Sequence, residues 1–357
     1  MAAKSKAKAK ATHTTTRKRI NLALQGGGAH GAFTWGVLDR LLDAPEIEIA
    51  AISGTSAGAL NGAAVKKGLA HGSTAMAKDT LEALWQKVGA ITDDRVAPWL
   101  TAASPMAISR LIESTLSFQM ADSLSRMISP YASGPFYHNP LTEIVGDLHC
   151  PELTHMAGPQ FHICATNVRS GKVRIFTGPD ITPDAIMASA CLPTMFQAVE
   201  IPDPVTGKLE AYWDGGYTGN PALFPLYARD LPRDILVVNI NPLYRDEIPK
   251  SAPAIQNRIN EISFNSSLFR ELRAIEFVQR LLRTGTIPDD AMKNVLLHMV
   301  SDDQLMRQLS VATKTVATPQ ILHQLRAAGQ AAADVFLRDH IDKIGVENSV
   351  DLVEMFG

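Results

Sequence analysis

A serine enclosed by two glycines is the residue of this sequence best suited to nucleophilic chemistry. The pentapeptide Gly54-Thr55-Ser56-Ala57-Gly58 follows an apolar segment, residues 49–53, and precedes a segment of small side chains, residues 59–65. A G-x-S-x-G sequence between a strand and a helix is typical of a nucleophile elbow. Gly54 and Gly58 remove Cβ atoms where strand and helix come closest, and a helix N-terminus favours negative charge near the Ser56 Oγ. Ser56 is therefore a candidate nucleophile, although such pentapeptides also occur as ordinary turns.

Two further glycine-rich segments could supply the remaining groups of a hydrolytic site. A serine hydroxyl needs a base, and its tetrahedral product needs hydrogen-bond donors for the oxyanion. Asp214 ends an apolar segment on the turn Gly215-Gly216, where it could approach another backbone closely, and is the candidate base. A glycine loop follows the first apolar segment, and its backbone N–H groups, together with that of Ala57, are the predicted oxyanion hole. The loop residues concerned are Gly26, Gly27 and Gly28, and Gly31 closes the motif.

The segments around these motifs predict an α/β fold with a mostly parallel central sheet, helices on both faces and a C-terminal helical extension. Strand, helix, strand and helix within residues 20–67 indicate a right-handed βαβ unit that opens a parallel sheet. We predict further strands at 161–166, 172–176, 199–201, 209–213, 235–240 and 295–300, and further helices at 73–90, 184–191, 253–283 and 319–340. Residues 96–136 carry only four charged side chains and are expected to form core helices or an apolar wall for an acyl chain.

Composition limits the class of protein. With 46% hydrophobic and 20% charged residues, the chain has the material for a buried core and is typical of soluble globular proteins. Residues 1–19 carry seven basic groups and no acid, and no apolar stretch follows them, so they predict a disordered tail rather than a secretory signal. The same charges are compatible with peripheral contact with an anionic membrane. A nucleic-acid partner is not expected, because no aromatic platform or recognition motif accompanies the tail.

Other totals bear on compartment and cofactors. No run of 18 apolar residues is present, so no membrane-spanning helix is expected. The three cysteines lack the spacing of a metal site and favour a reducing, cytoplasmic compartment. No metal site is expected, because no cluster of His, Asp and Glu has metal-ligand spacing.

In order and approximate spacing, four motifs resemble the patatin-like phospholipase family. They are the glycine loop at 26–31, the elbow at 54–58, the segment 188–196 and Asp214-Gly215-Gly216. The resemblance covers residues 20–228, which leaves 1–19 as a basic tail and 229–357 as the last core strand with a mainly helical extension. It implies a metal-independent and cofactor-independent acyl hydrolase of lipid esters, a phospholipase A or lysophospholipase. It further implies a Ser–Asp dyad, with Ser56 as nucleophile and Asp214 as proton acceptor. Family members often carry Arg or Lys where this chain has His30, a difference that bears on substrate preference rather than on the reaction.

Three other interpretations are compatible with parts of the sequence. The glycine loop also fits a dinucleotide fingerprint, but the expected acid about 20 residues on, at the end of the second strand, is missing, since Glu46 and Glu48 precede or begin that strand. An α/β-hydrolase with a Ser-Asp-His triad would need a histidine after the acid, and the candidates are His298, His323 and His340. A catalytically silent lipid-binding scaffold would have no chemical need to keep Ser56 and Asp214 together.

Overall fold

The computed structural model describes residues 17–90, 129–148, 151–154, 157–204, 206–309 and 311–356. Of the predicted disordered tail, the structure describes only residues 17–19, and here the prediction is wrong for Lys18 and Arg19, which begin the first strand and pair with Ile47 and Glu48. Residues 1–16 and most of the apolar segment 96–136 lie outside the described ranges, so the expectations for these residues are not tested.

An eight-stranded mixed sheet organises the described residues. The order along the pairing path is β5-β6-β3-β2-β1-β7-β8, and β4 pairs with β3. Strands β3, β2, β1, β7 and β8 are mutually parallel, whereas β4 and β6 run antiparallel to β3, and β5 runs antiparallel to β6. The predicted mostly parallel sheet is confirmed. The strands are β1 (Lys18–Leu24), β2 (Ile47–Thr55), β3 (Gln160–Asn167), β4 (Val173–Thr177), β5 (Val199–Pro202), β6 (Leu209–Asp214), β7 (Asp234–Asn239) and β8 (Leu296–Ser301).

Helices cover both faces of this sheet. The α-helices of the described ranges are α1 (Gly31–Leu42), α2 (Ala57–Ala70), α3 (Thr74–Ala90), α4 (Leu141–Leu148), α5 (Pro183–Ser189), α6 (Ala252–Arg283), α7 (Asp303–Gln308), α8 (Val311–Thr315), α9 (Pro319–Asp339) and α10 (Leu352–Phe356). Alternate residues of the central strands face different helices, as the two-residue period of a strand requires. Leu22 and Leu236 enter the core that contains α1, α2, α3 and α9, whereas Ala23 and Val237 enter the core that contains α6.

Strand β3 brings the carboxyl ends of strands β2 and β6 together. Its Cys164 pairs with Thr55, the last residue of β2, and its Ala165 pairs with Asp214, the last residue of β6. Strand β4 pairs with both Cys164 and Ala165 from the other edge. Strands β2 and β6 therefore share one edge of β3, approach from opposite directions, and end at neighbouring positions.

The C-terminal region is part of the same body. Strand β8, expected from the sequence at residues 295–300, extends the sheet beside β7. Helices α1 and α9 cross at two glycines, since a Cβ atom on Gly36 would lie 1.9 Å from Arg326 O and one on Gly329 would lie 2.0 Å from Phe33 O. The buried Asp39 carboxylate binds the Arg326 guanidinium across this crossing at 2.6 Å. In the part of the chain that the structure describes, every helix is too short or too polar to cross a membrane.

Candidate active site

Ser56 occupies a strained turn between β2 and α2. Its φ of 54° and ψ of −122° make it the one non-glycine residue with positive φ among those described. An L-residue adopts such a backbone only where the surroundings enforce it, and these positions cluster at functional sites. The flanking strand and helix are those that the sequence predicted around the pentapeptide.

Glycines allow close approaches of backbone within the elbow, between the elbow and strand β1, and between the elbow and the glycine loop. A Cβ atom on Gly58 would lie 2.1 Å from Leu24 O, and one on Gly54 would lie 2.5 Å from Gly58 O. From the glycine loop, a Cβ atom on Gly26 would lie 2.6 Å from Ser56 Cβ, and one on Gly31 would lie 2.6 Å from Ala57 Cβ. Each of these distances is below ordinary contact, so a Cβ atom does not fit at any of these four glycines.

Asp214 is fully buried beside this elbow. Its Oδ1 accepts a hydrogen bond from Gly216 N at 2.7 Å, and its own backbone N–H donates to Cys191 O at 2.8 Å. Burial raises the pKa of Asp214 to about 7, against the smaller lowering effects of the Gly216 N–H and the Ser56 hydroxyl. Oδ2 accepts no hydrogen bond of standard geometry from the described residues. The Ser56 hydroxyl is thus near the carboxyl without a short, well-aligned bond, as is common in unliganded sites.

Gly215 shows how closely the loop of the aspartate meets the elbow. A Cβ atom at this position would lie 2.2 Å from Cys164 O and 3.0 Å from the Thr55 methyl carbon. Thr55 Oγ1 also donates a hydrogen bond to Gly219 O at 2.6 Å. The structure therefore brings the predicted nucleophile and the predicted base together.

The hydrogen bonds of the glycine loop and the elbow show which of the predicted oxyanion donors have a free N–H group among the described residues. Gly26 N donates to Asn220 Oδ1 at 2.6 Å, so this predicted donor already has an acceptor and would have to leave it to bind an oxyanion. No hydrogen bond within the described residues uses the N–H of Gly27, Gly28 or Ala57. These three remain the candidates.

Ser189 is a site residue that the sequence reasoning missed. It is fully buried at the end of α5, where its Oγ accepts from Ser56 N at 2.9 Å and donates to Cys164 O at 2.6 Å. It therefore ties the strained elbow to β3. The residue lies in the motif segment 188–196, but its type alone gave no role.

A network of buried side-chain amides holds the start of the glycine loop by hydrogen bonds. The sequence reasoning did not predict this network. Asn241 Nδ2 donates to Gly26 O at 2.8 Å, and Gln25 Oε1 accepts from Ile240 N at 2.8 Å and from Asn241 N at 3.1 Å. Gln25 Nε2 in turn donates to Asn220 O at 3.2 Å. Because these partners lie about 200 residues apart in the chain, no local pattern signals the network.

Helix α8, which belongs to the C-terminal region, packs on the other side of the glycine loop. His30 is buried, and its Nε2 lies 2.9 Å from Thr313 Oγ1. Burial lowers the pKa of His30 well below its usual range, and the nearby charges of Lys314 and Arg245 lower it further. A Cβ atom on Gly28, which has a φ of 58°, would lie 2.3 Å from Lys314 O. His30 is thus a neutral packing residue of the loop.

The histidines of the triad interpretation make their contacts elsewhere. His298 Nε2 binds Asp234 Oδ1 at 3.0 Å, beside the amino end of β7. His323 packs on Trp35, with ring centroids 6.3 Å apart, and His340 packs on Phe336 at 6.0 Å. Across the described ranges, no group of three or more His, Cys, Asp or Glu residues could hold a metal ion.

A mixed α/β sheet that places a strained serine elbow beside a buried aspartate is the arrangement of a candidate serine-hydrolase site. Comparison with known families identifies the family of the chain. The model of the patatin-like phospholipases matches residues 22–227, more than half of the chain. The chain therefore belongs to the patatin-like phospholipase family, as the four motifs implied, and this membership supports a lipid hydrolase function.

Solved structures add distant likenesses. VipD from Legionella pneumophila is 15% identical with a TM-score of 0.42, and the match covers 90% of this chain and 67% of that one. The heterodimeric ExoU-SpcU complex of the Pseudomonas aeruginosa type III secretion system is 18% identical with a TM-score of 0.30, and the match covers 90% of this chain and 61% of that one. A comparison with curated proteins found no match.

Proposed function

We propose that this chain is a serine acyl hydrolase that cleaves fatty acyl esters of lipids, as a phospholipase A or lysophospholipase. The observation that carries the proposal is the position of the buried Asp214 carboxyl beside the strained Ser56 turn. A scaffold without catalysis would gain nothing from keeping a strained turn and a buried carboxyl at one place, since both features carry a cost in stability.

Ser56 is the nucleophile of the acylation step. Its Oγ attacks the ester carbonyl carbon while Asp214 Oδ2, which has no other partner of standard geometry among the described residues, accepts the hydroxyl proton. The carbonyl oxygen becomes an oxyanion, and the N–H groups of Gly27, Gly28 and Ala57 are the candidate donors to it. The protonated Asp214 then gives its proton to the leaving alcohol as the ester bond breaks.

The same groups serve deacylation. Water attacks the acyl-enzyme carbonyl as Asp214 takes one of its protons, and collapse of the second tetrahedral intermediate releases the fatty acid and returns the proton to Ser56 Oγ. A carboxyl with a pKa of about 7 suits both directions, because it exchanges protons readily near neutral pH.

The proposed substrate is a lipid or phospholipid, and the proposed location is the cytoplasm with peripheral contact with membranes. The substrate follows from the family, and the location follows from the basic leader and the cysteine usage. Vesicle co-sedimentation that is unchanged after deletion of residues 1–16, which leaves strand β1 intact, would remove the basic tail from this account.

A lipid panel read by mass spectrometry tests the reaction. Wild-type protein should release free fatty acid from at least one phospholipid or lysophospholipid, whereas Ser56→Ala and Asp214→Asn should not. Ser170→Ala and Asp180→Asn are matched controls at a solvent-exposed serine and a partly exposed aspartate, and both should retain wild-type release. Wild-type release by Ser56→Ala would refute the proposal.

A further inference from the structure

Helix α6 begins with an exposed row of isoleucines. Ile255, Ile259 and Ile262 have exposed fractions of 42%, 53% and 54%, and Ile248, just before the helix, is 82% exposed. Steps of four and three residues place the three helical side chains on one side of α6. We call these four residues the isoleucine face.

The position of α6 along the sheet locates this face. Asn265 Nδ2 donates to Pro242 O at 3.0 Å, and Asn265 Oδ1 lies 3.4 Å from Gln25 Nε2. Gln25 follows the carboxyl end of β1, so Asn265 marks the carboxyl edge of the sheet. Farther along the helix, Gln279 Nε2 donates to the oxygen of Val295, which precedes the amino end of β8. Helix α6 thus runs from the carboxyl edge to the amino edge.

Residues before Asn265 therefore extend beyond the carboxyl edge. At 1.5 Å per residue, Ile262 lies about 4 Å and Ile255 about 15 Å past Asn265 along the helix axis. Ser56 follows the carboxyl end of β2, so the isoleucine face and the candidate nucleophile are at the same end of the molecule.

The same helix also touches the loop of Asp214. The Phe264 ring packs edge-on against Tyr217, with centroids 5.3 Å apart, and a Cβ atom on Gly216 would lie 3.0 Å from it. One helix thus carries exposed apolar side chains and a side chain that lines the loop of the candidate base.

The charged side chains around the isoleucine face give its surroundings a weakly positive charge. From residue 248 to residue 270 the one acid is Glu261, which is 1% exposed and bound by Arg245 at 2.6 Å and by Arg258 at 3.3 Å. Lys250 and Arg270 are exposed. Of the two acids just before the face, Asp246 binds Arg307 at 3.1 Å and Glu247 is exposed.

We propose that the isoleucine face is the surface by which this protein docks on a lipid bilayer, so that the end of the molecule carrying Ser56 meets its substrate; this rests on the proposed function. Apolar side chains at the same end of the molecule as the candidate site, with exposed lysine and arginine nearby, match a membrane interface with anionic lipid. A second copy of the chain fits less well, because four partly exposed isoleucines offer far less than the ~800 Å² per partner of a stable interface.

Vesicle binding by Ile255→Gln/Ile259→Gln/Ile262→Gln in the full chain tests the proposal. The variant carries Ser56→Ala so that lipid is not consumed, and it is compared with Ser56→Ala alone on phosphatidylcholine vesicles with and without phosphatidylglycerol. We expect the apparent vesicle affinity to fall about tenfold or more, because apolar area that would enter the bilayer is lost. Glutamine is a good helix former, so α6 is retained.

Val346→Gln/Val353→Gln is the matched control, since these valines are 69% and 61% exposed and Val346 lies near the amino end of β7. It should bind vesicles as the parent does. Unchanged vesicle affinity in the triple variant would overturn the proposal, as would a shift from dimer to monomer in light scattering with vesicle binding intact.

Turnover of a short-chain, monomeric chromogenic ester, measured with serine at position 56, separates this proposal from the proposed function. The triple variant should keep turnover within about twofold of wild type, because the soluble ester does not need docking. If wild type hydrolyses no ester while the triple variant still loses vesicle binding, the proposed function fails and the docking surface stands. If ester turnover is present and vesicle affinity is unchanged by the substitutions, the docking surface fails alone.

Discussion

Ser56 and Asp214 lie at the ends of two strands that meet head to head along one edge of β3. Thr55 pairs with Cys164 and Asp214 pairs with Ala165, so two residues 158 positions apart are placed beside each other by adjacent rungs of one strand. The backbone pairing of the strands therefore places Ser56 and Asp214 next to each other. Little space is left around this pairing, because a Cβ atom on Gly215 would lie 2.2 Å from the Cys164 carbonyl oxygen, which already accepts a hydrogen bond from Ser189 Oγ.

The nucleophile and base should behave as a unit. Ser56→Ala and Asp214→Asn should each lower kcat on a chromogenic ester by about 10³-fold or more, and the double variant should be no worse than the single ones. Steady-state kinetics of the three variants check this. Additive losses would show that the two side chains act independently.

Activity should depend on the ionisation of Asp214. Since the base must be deprotonated and its pKa is about 7, kcat/KM should fall about tenfold per pH unit below 7 and reach a plateau above it. A pH–rate profile of the free enzyme on a soluble ester measures the midpoint. A flat profile from pH 5 to pH 9 would contradict the assignment.

Replacing Asp214 by its neutral isostere should stabilise the protein at high pH. The pKa of Asp214 is raised in the folded state, from 3.8 to about 7, so the folded protein binds this proton more tightly and loses stability as pH rises through this interval. Asp214→Asn removes that penalty, which amounts to up to about 4 kcal/mol above pH 7. Thermal unfolding should show a higher Tm for Asp214→Asn at pH 8 and no gain at pH 4. If wild type and Asp214→Asn have equal Tm values at pH 4 and also at pH 8, Asp214 is not a buried, destabilising carboxylate.

Ser189 should act on the reaction through the elbow. Ser189→Ala removes the acceptor for Ser56 N and leaves a buried N–H without a partner, which costs about 1–3 kcal/mol of folding stability. We expect kcat to fall about tenfold or more with little change in KM, because the elbow loses its orientation rather than its contacts with substrate. Ser189→Thr keeps the hydroxyl and should restore part of kcat. If only stability changes, Ser189 is a structural residue alone.

Gly28 should tolerate no side chain, because its positive φ coincides with close contact to Lys314 O. Gly28→Ala should lower both Tm and kcat, since a Cβ atom would push α8 away from the glycine loop. Gly171→Ala is the matched control, with a φ of 65° and open space around the added methyl. It should cost only the strain of positive φ, about 1 kcal/mol, and leave kcat unchanged. Equal effects of the two substitutions would show that backbone strain explains both.

Much of the fold could be predicted from local pattern. The apolar runs at 20–25, 235–240 and 295–300 correspond to β1, β7 and β8, and the helical spacing at 253–283 corresponds to α6. These segments are long or largely buried, so their hydrophobic pattern is strong. The order of the strands could not be read in this way, because pairing is decided by contacts between distant segments.

The sequence by itself determined the chemistry of the candidate site. A serine between glycines, a glycine loop after a strand, and an aspartate before two glycines are each set by residue type and neighbours along the chain. Tertiary structure alone decided that Gly26 N is occupied by Asn220, that Ser189 holds the Ser56 backbone, and that α8 packs on Gly28. The physical reason is that a hydrogen bond or a steric contact between distant residues depends on distances of a few ångströms. Those distances exist only after the sheet has assembled.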